Sequence, residues 1–209
     1  EYKVKEIDLL VVNLYPFAET VKAGADYAHC IENIDIGGPA MIRAAAKNFK
    51  YVATLVDIED YEDLVNELKT NNGCTSYSFR KKLSQNAFSL TAYYDAVVSN
   101  WMLDNITGVK PRRFSISAAL SQDLRYGENP HQSASFFLDE NLQVGIGASN
   151  QIQGKQLSYN NINDTDAALE LVNEFPQNDG AAAVIVKHAN PCGVGVANSL
   201  VEAYRAAFS

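Results

Sequence analysis

The sequence predicts a mixed α/β protein. Short apolar segments with the length of buried strands alternate with longer segments whose apolar residues recur every three or four positions, as in helices packed on a sheet. Of the 209 residues, 47% are apolar and 20% are charged, which is typical of an ordinary globular protein. A chain of this length has room for one large domain or two smaller ones.

The first half of the chain predicts strands and helices in alternation. Its first strand ends at Pro16, because proline lacks the N–H that a strand ladder needs. Large apolar residues at helical spacing in the later part predict a long helical stretch. The predicted elements are a strand over residues 7–14, helices over about 26–33 and 39–48, a buried strand over 51–56, a helix over 57–68 and one or two helices over 76–103.

Residues 104–123 contain Gly, Pro, Arg and Ser without a sustained period, which predicts a domain boundary. We therefore expect one domain over residues 1–118 and a second over 119–209. The second domain is predicted to contain a strand near residues 135–138, a glycine-rich connection over 145–154, a helix over about 164–175, a strand over 182–186 and a helix over 200–208.

The net charge of −8 argues against nucleic acid or an anionic membrane as a partner, since either would require a positive face. Three widely spaced cysteines fit free thiols in a reducing compartment. Neither a signal peptide nor a membrane-length apolar run is evident, so we expect a cytoplasmic protein. The first residue is not methionine and the chain stops directly after its last helix, so we expect a piece of a longer protein.

The first candidate site is Asp-Ile-Gly-Gly-Pro at 35–39, directly before a helix. We expect Pro39 at the first helical position, and two glycines would let backbone N–H groups approach an anion at the helix start. Arg43 and Lys47 follow at i and i+4 and would share one face. An ordinary helix start with two surface cations is the alternative.

The second candidate site is the segment 125–132, which follows Leu124. Arg125 offers a fork that fits phosphate or carboxylate, and Tyr126, Asn129 and His131 add groups that form directed hydrogen bonds. An asparagine, a proline and a glycine within a few residues are also typical of a well-capped turn, so both interpretations stay open.

The third candidate site is Lys187-His188, at the end of the apolar run 181–186. Histidine transfers protons near neutral pH, and a neighbouring ammonium stabilises a developing oxyanion. Adjacent residues of a regular strand point to opposite faces, so both reach one substrate only if the strand ends there, and we expect a turn at 190–193. A structural histidine beside an extended surface lysine is the alternative.

Cys192 raises the hypothesis of a metal-dependent deaminase, in which a Pro-Cys pair helps to hold zinc. The spacing argues against it, because Gly195 stands where the second cysteine would be and the chain contains no His-x-Glu.

Six motifs together resemble the family of bifunctional purine biosynthesis proteins, which join AICAR formyltransferase to IMP cyclohydrolase. They occur in the family's order: Asn-Leu-Tyr-Pro-Phe at 13–17, Glu-Asn-Ile-Asp-Ile-Gly-Gly at 32–38, Arg-Ala-Ala-Ala-Lys-Asn at 43–48, the segment 124–132, Leu-Ser-Tyr-Asn-Asn at 157–161 and the segment 186–193.

The resemblance implies the end of a methylglyoxal-synthase-like cyclohydrolase domain, followed by the start of a cytidine-deaminase-like formyltransferase domain. For cyclisation it implies Tyr15, Asp35 and Lys47 as catalytic residues. For formyl transfer it implies Lys187 as oxyanion partner and His188 as base. The implied substrate-binding residues are Asn13, Ile36, Gly37, Gly38, Arg125, Tyr126, Asn129, His131, Asn160, Asn161 and Asn190.

The resemblance also implies 10-formyltetrahydrofolate as co-substrate, AICAR, FAICAR and IMP as ligands, no metal, and a homodimer that shares its formyltransferase sites. A Lys-Thr motif of the family would precede Glu1, and most of the formyltransferase domain would follow Ser209. We therefore expect this chain to carry parts of both sites and to be inactive alone. A non-catalytic nucleotide-binding module built on the helix start at 35–47 is the alternative.

Overall fold

The structure is a computed structural model that describes residues 5–108, 110–139, 144–176, 178 and 180–209. It confirms a mixed α/β protein. The chain forms two compact units, the first unit Glu1–Ser117 and the second unit Ala118–Ser209.

The first unit contains a parallel strand pair and five helices within its described residues. In chain order these are β1 (Leu9–Val11), α1 (Phe17–Lys22), α2 (Tyr27–Glu32), α3 (Gly37–Lys47), β2 (Ala53–Leu55), α4 (Asp60–Thr70) and α5 (Tyr77–Asp104). Strands β1 and β2 pair in parallel, with Leu9 opposite Ala53 and Val11 opposite Leu55. Parallel pairing requires a crossover connection, which α1 to α3 provide.

The core of the first unit lies where β2 and the long helix α5 meet. All three residues of β2 are buried, and Leu55 packs with Leu64 of α4 and Leu83 of α5. The Ser84 hydroxyl donates to the carbonyl oxygen of Ala46 over 2.8 Å, which ties α5 to the last turn of α3. The C-terminal end of α3 is therefore fixed to α5, and its first turn contains part of the first candidate site at 35–39.

The second unit contains two antiparallel strand pairs within its described residues. Its elements are β3 (Ala119–Leu124), β4 (Ala134–Leu138), a short 3₁₀ helix (Ile146–Ala148), α6 (Tyr159–Asn173), β5 (Ala181–Lys187), β6 (Asn190–Ala197) and α7 (Leu200–Phe208). Strand β3 pairs with β4, and β5 pairs with β6.

Helix α7 lies directly on the backbone of β6. A Cβ added at Gly195 would overlap the carbonyl oxygen of Ala203, and one added at Gly193 would overlap that of Ala207. Ala203 and Ala207 are buried against this strand. Small residues on both sides therefore permit the close packing.

The structure corrects several boundaries that the sequence predicts. Pro39 occupies the third position of α3 rather than the first, which costs nothing because the N–H groups of the first turn have no partner within the helix. Helix α6 begins at Tyr159, five residues before the predicted start, so Asn160 and Asn161 are helical. Strand β3 occupies part of the segment 104–123, where the sequence predicts only a boundary, and α1 was not predicted.

Candidate functional site

Asp35 holds together the loop that precedes α3. One carboxylate oxygen accepts a hydrogen bond from the Gly38 N–H (2.7 Å), and the other accepts one from the Tyr15 N–H (3.3 Å). The Asp35 N–H donates to the buried Tyr94 hydroxyl of α5 over 2.7 Å. The structure thus brings together the motifs at 13–17 and 32–38 through Tyr15 and Asp35, which are 20 positions apart in the sequence.

These contacts alter the interpretation of this helix start as an anion site. The Gly38 N–H, which an incoming phosphate would use, is already bonded to the carboxylate of Asp35. The positive end of α3 therefore holds an internal negative charge. Gly37 remains open, since a Cβ added there would meet no atom within 4 Å.

The side chains around Asp35 leave an accessible surface. Tyr15 is 56% exposed and Ile36 is 76% exposed, and Asn13 and Gly37 are exposed as well, whereas Gly38 is buried. A ligand can therefore reach the backbone of Ile36 and Gly37.

Lys47 does not lie beside Asp35. Helix α3 is 11 residues long, and Lys47 is its last residue. At a rise of 1.5 Å per residue its backbone lies roughly 15 Å from the first turn. Arg43 lies over the ring of Phe88, with its guanidinium carbon 5.4 Å from the ring centre, so this cation packs on α5.

Arg125 and Tyr126 form a compact pair in the second unit. The guanidinium carbon lies 4.9 Å from the centre of the Tyr126 ring, and Nη2 donates to the phenol oxygen over 3.4 Å. Hydrogen bonding with the Ser158 hydroxyl and, next, with Arg125 lowers the pKa of Tyr126 below its ordinary value of 10.0. Each of these contacts favours the phenolate.

The loop after Tyr126 is closed by its own side chains. The Gln132 side-chain oxygen accepts a hydrogen bond from the Asn129 N–H over 2.7 Å. His131 is exposed and lines an open depression of about 600 Å³ together with Glu128 and Tyr159. Asn129 therefore stabilises the turn, while His131 faces space that a ligand can occupy.

Asn160 and Asn161, both predicted to bind substrate, have structural contacts at the start of α6. Ser158 and Asn161 form a reciprocal capping box, in which Oδ1 of Asn161 accepts from the Ser158 N–H and hydroxyl, each over 3.0 Å. The Asn160 side chain donates to the carbonyl oxygen of Glu128 over 2.9 Å. These bonds fix the helix start against the loop 125–132.

Lys187 and His188 lie in a tight β-hairpin. Lys187 ends β5 and pairs with Asn190 of β6, so the turn spans residues 187–190 and not 190–193 as predicted. The two central residues, His188 and Ala189, have φ angles of +54° and +55°. Lys187, His188 and Asn190 are exposed, and the Asn190 side chain donates to the carbonyl oxygen of His188 over 2.6 Å.

The two strands that flank this turn, β5 and β6, are antiparallel. A register shift follows Ile185, which pairs with Gly193, while Val186 pairs with Pro191, so Cys192 is the extra residue of a bulge. A bulge accommodates proline, which cannot donate to the ladder.

Helix α6 brings the second and third candidate sites together. At its start, the Arg125 N–H donates to the carbonyl oxygen of Leu157 (2.8 Å), and the Tyr159 N–H donates to that of Tyr126 (3.1 Å). One turn further on, the Asp164 carboxylate accepts a hydrogen bond from the Ala189 N–H over 2.7 Å. The loop 125–132 and the Lys187-His188 turn are thereby anchored to adjacent turns of one helix.

Three residues that organise these sites were not identified from the sequence. Tyr94, Ser158 and Asp164 each bond to a predicted site residue or its neighbour. For Ser158 a signal was present, because serine followed three residues later by a polar side chain predicts a capping box. Tyr94 and Asp164 act over 59 and 25 residues of sequence, which local pattern does not encode.

Within the residues that the structure describes, no group of three or more His, Cys, Asp or Glu is arranged to hold a metal ion. No described helix is long and apolar enough to cross a membrane.

The fold and the sites define a two-unit α/β protein with a separate polar site in each unit. Comparison with known proteins identifies the family. The family model of the AICARFT/IMPCHase bienzyme matches residues 45–209. Bifunctional purine biosynthesis protein PurH of Dinoroseobacter shibae is 61% identical over 202 residues, covering 97% of this chain and 38% of that protein. PurH of Roseobacter denitrificans is 57% identical over 208 residues, covering 100% and 39%.

This chain belongs to the AICARFT/IMPCHase bienzyme family. It spans about two fifths of the length of the curated relatives that it matches. A solved structure, ForH, is 36% identical and covers 48% of this chain and 53% of its own, with a TM-score of 0.40. That score is too low to establish a shared overall fold.

Proposed function

We propose that the protein carrying this sequence catalyses the last two steps of IMP synthesis. The first step is formyl transfer from 10-formyltetrahydrofolate to AICAR. The second is cyclisation of the product FAICAR to IMP with loss of water. Family membership supports both steps, and this chain contributes part of each site.

One observation supports formyl transfer in particular. The loop 125–132 and the Lys187-His188 turn are both hydrogen-bonded at helix α6. In the proposed reaction, the AICAR amine nitrogen attacks the formyl carbon, and His188 accepts the proton that this nitrogen loses. Lys187 stabilises the oxyanion that develops on the formyl oxygen. When the oxyanion collapses, the bond to N10 of the folate breaks and N10 takes up a proton.

His188 is needed because the AICAR amine is a poor nucleophile whose lone pair is delocalised into the ring. Arg125 and Tyr126 bind AICAR, since the exposed guanidinium suits a phosphate or carboxamide oxygen. Asn129, His131, Asn160, Asn161 and Asn190 belong to the same proposed binding surface.

For cyclisation we assign Asp35 to proton transfer and Tyr15 to the oxyanion. The carboxamide nitrogen of FAICAR attacks the formamide carbon, and the resulting carbinol loses water. The open backbone at Ile36 and Gly37 supports a ligand at this edge, with Asn13 and Gly38 beside it. The assignment of Lys47 has the least structural support. Lys47 lies at the far end of α3 from Asp35, so another segment of the protein would have to hold substrate near it.

The remaining parts of the proposal concern the whole protein. Residues 1–118 form the end of a methylglyoxal-synthase-like cyclohydrolase domain, and residues 119–209 form the start of a cytidine-deaminase-like formyltransferase domain. The active protein is a homodimer that requires no metal. A cytoplasmic location is supported by the odd number of cysteines, which fits a reducing compartment.

The test is His188→Ala in the protein that carries this sequence, with each activity assayed separately. Formyl transfer should fall by roughly a hundredfold or more, as for loss of a general base, while cyclisation of supplied FAICAR is unchanged. His29→Ala, which removes an exposed histidine of the first unit, is the matched control and should keep both activities. Loss of both activities in His188→Ala, or of neither, overturns the assignment.

The alternative, a non-catalytic nucleotide-binding module, receives less support because Asp35 already occupies the start of α3. Calorimetry of the 209-residue chain with AICAR and with IMP separates the two. Tight binding of either nucleotide, combined with two inactive assays of the whole protein, would favour the module.

A further inference from the structure

The turn that carries His188 has a backbone conformation that its own residues do not favour. His188 and Ala189 both have positive φ, as the central residues of a two-residue hairpin turn often do. Such positions usually contain Gly, Asn or Asp, because a Cβ crowds the following carbonyl in this conformation. Histidine and alanine at these positions therefore need a contact from outside the turn.

Asp164 supplies that contact. Its Oδ1 accepts the hydrogen bond of the Ala189 N–H over 2.7 Å, across 25 residues of sequence. Asp164 is half-buried on α6, and a carboxylate is a stronger acceptor than a neutral oxygen. The bond holds the peptide that directly follows His188.

The same helix fixes the substrate side of the proposed site. One turn before Asp164, Asn160 bonds to the loop 125–132, and the Tyr159 N–H bonds to Tyr126. A helix is stiff over a single turn, so its start and Asp164 keep a fixed separation. The bond to Ala189 therefore determines where the Lys187-His188 turn lies relative to Arg125 and Tyr126.

We propose that Asp164 is a positioning residue for formyl transfer, which holds the His188-Ala189 turn through the Ala189 N–H and so aligns His188 with the bound amine. This inference rests on the proposed function of His188. Asp164 itself touches neither substrate nor co-substrate in this scheme. A misplacement of about 1 Å can cost roughly a hundredfold in rate, so the effect on turnover should be large.

The experiment compares Asp164→Ala and Asp164→Asn in the protein that carries this sequence. Asparagine keeps an oxygen acceptor for the Ala189 N–H and alanine does not. Asp164→Ala should lower kcat for formyl transfer by roughly tenfold to a hundredfold, with KM for AICAR and the cyclisation rate unchanged. Asp164→Asn should restore most of kcat. Asp166→Ala, an exposed aspartate two residues further along α6, is the control and should behave as the wild type.

Hydrogen exchange of the Ala189 amide, measured by NMR, gives a readout that does not depend on activity. Exchange should be slow in the wild type and in Asp164→Asn and faster in Asp164→Ala. Unchanged exchange in Asp164→Ala overturns the inference, as does an equal loss of kcat in the alanine and asparagine variants. If His188→Ala is inactive in transfer and Asp164→Ala is not, only the inference fails. If His188→Ala stays active, the proposed function itself fails.

Discussion

Ser158→Ala tests whether the start of α6 and the Arg125-Tyr126 pair form one structural unit. The Ser158 side chain is fully buried, accepts the Asn161 N–H over 3.3 Å and donates to Oδ1 of Asn161 over 3.0 Å. Its hydroxyl is also the largest cause of the lowered pKa of Tyr126. Alanine removes both hydroxyl bonds to Asn161 and the effect of Ser158 on the pKa of Tyr126, and it adds no contact.

The expected loss of unfolding free energy at neutral pH is about 1 kcal/mol, the usual cost of deleting a serine cap. One cap bond survives, because the Ser158 N–H still donates to Asn161 over 3.0 Å, so the loss should not approach the upper end of that range. Urea denaturation followed by circular dichroism measures this loss. Ser199→Ala is the matched control, since Ser199 caps α7 by the same kind of bond.

The two variants should differ in the titration of Tyr126. Its pKa is lowered in the folded protein, so ionisation adds stability that is absent below the folded pKa and complete only above the unfolded value of about 10. Ser158→Ala should raise the pKa of Tyr126, and its stability cost should grow as the pH approaches that value. Ser199→Ala should leave this pKa unchanged.

NMR titration of ring-labelled tyrosine follows Tyr126 separately from Tyr94, whose pKa burial raises above its ordinary value. An unchanged pKa of Tyr126 in Ser158→Ala would show that Ser158 does not act on the Tyr126 phenol, even if the cap is lost. A stability cost equal to that of Ser199→Ala at every pH would show the same.

Two further substitutions test the packing around the sites. Gly195→Ala should lower the unfolding free energy by about 1 to 3 kcal/mol, because the new Cβ would overlap the carbonyl oxygen of Ala203. Unchanged urea denaturation would mean that α7 does not pack on β6. Tyr94→Phe should cost about 1 to 2 kcal/mol, because the Asp35 N–H loses its acceptor. A phenylalanine variant with wild-type stability would show that this bond does not stabilise the loop.

Several elements could be predicted from sequence because their signals are local. Helix α7 matches its predicted bounds, since apolar spacing and the Ser199 cap are both contained in ten residues. Helix α5 is a single helix over 28 residues and falls within one residue of the predicted stretch at each end. Where periodicity extends over several turns, the elements are correctly placed.

The structure differs from the sequence-based predictions where a distant contact or an unusual helix cap determines the local conformation. The sequence pattern does not predict the first five residues of α6, because Tyr-Asn-Asn is also typical of a loop, although Asn161 completes a capping box that glutamate more often forms. The hairpin turn was misplaced because His188-Ala189 lacks the glycine or asparagine typical of its conformation. The bond from Asp164 to Ala189 compensates for that, and nothing near residue 188 in the sequence indicates it.

For the candidate sites too, the sequence indicates local motifs, and the structure shows the distant contacts between them. The motifs indicated which residues belong together, and the structure joins Tyr15 to Asp35 and the loop 125–132 to the Lys187-His188 turn through α6. Lys47 shows the limit of a motif, because the predicted helix that follows Asp35 places the Lys47 backbone roughly 15 Å from its first turn, although both residues belong to family motifs.

The most direct test of the account compares His188→Ala with Asp35→Asn in both assays, in the protein that carries this sequence. Asparagine keeps one side-chain oxygen for the Gly38 N–H and loses the acceptor of the longer bond from the Tyr15 N–H, so the start of α3 should survive. We predict opposite effects: His188→Ala lowers formyl transfer by roughly a hundredfold or more and leaves cyclisation unchanged, whereas Asp35→Asn lowers cyclisation and leaves transfer unchanged. Two variants that lose the same activity, or that each lose both, would contradict the assignment of one site to each unit.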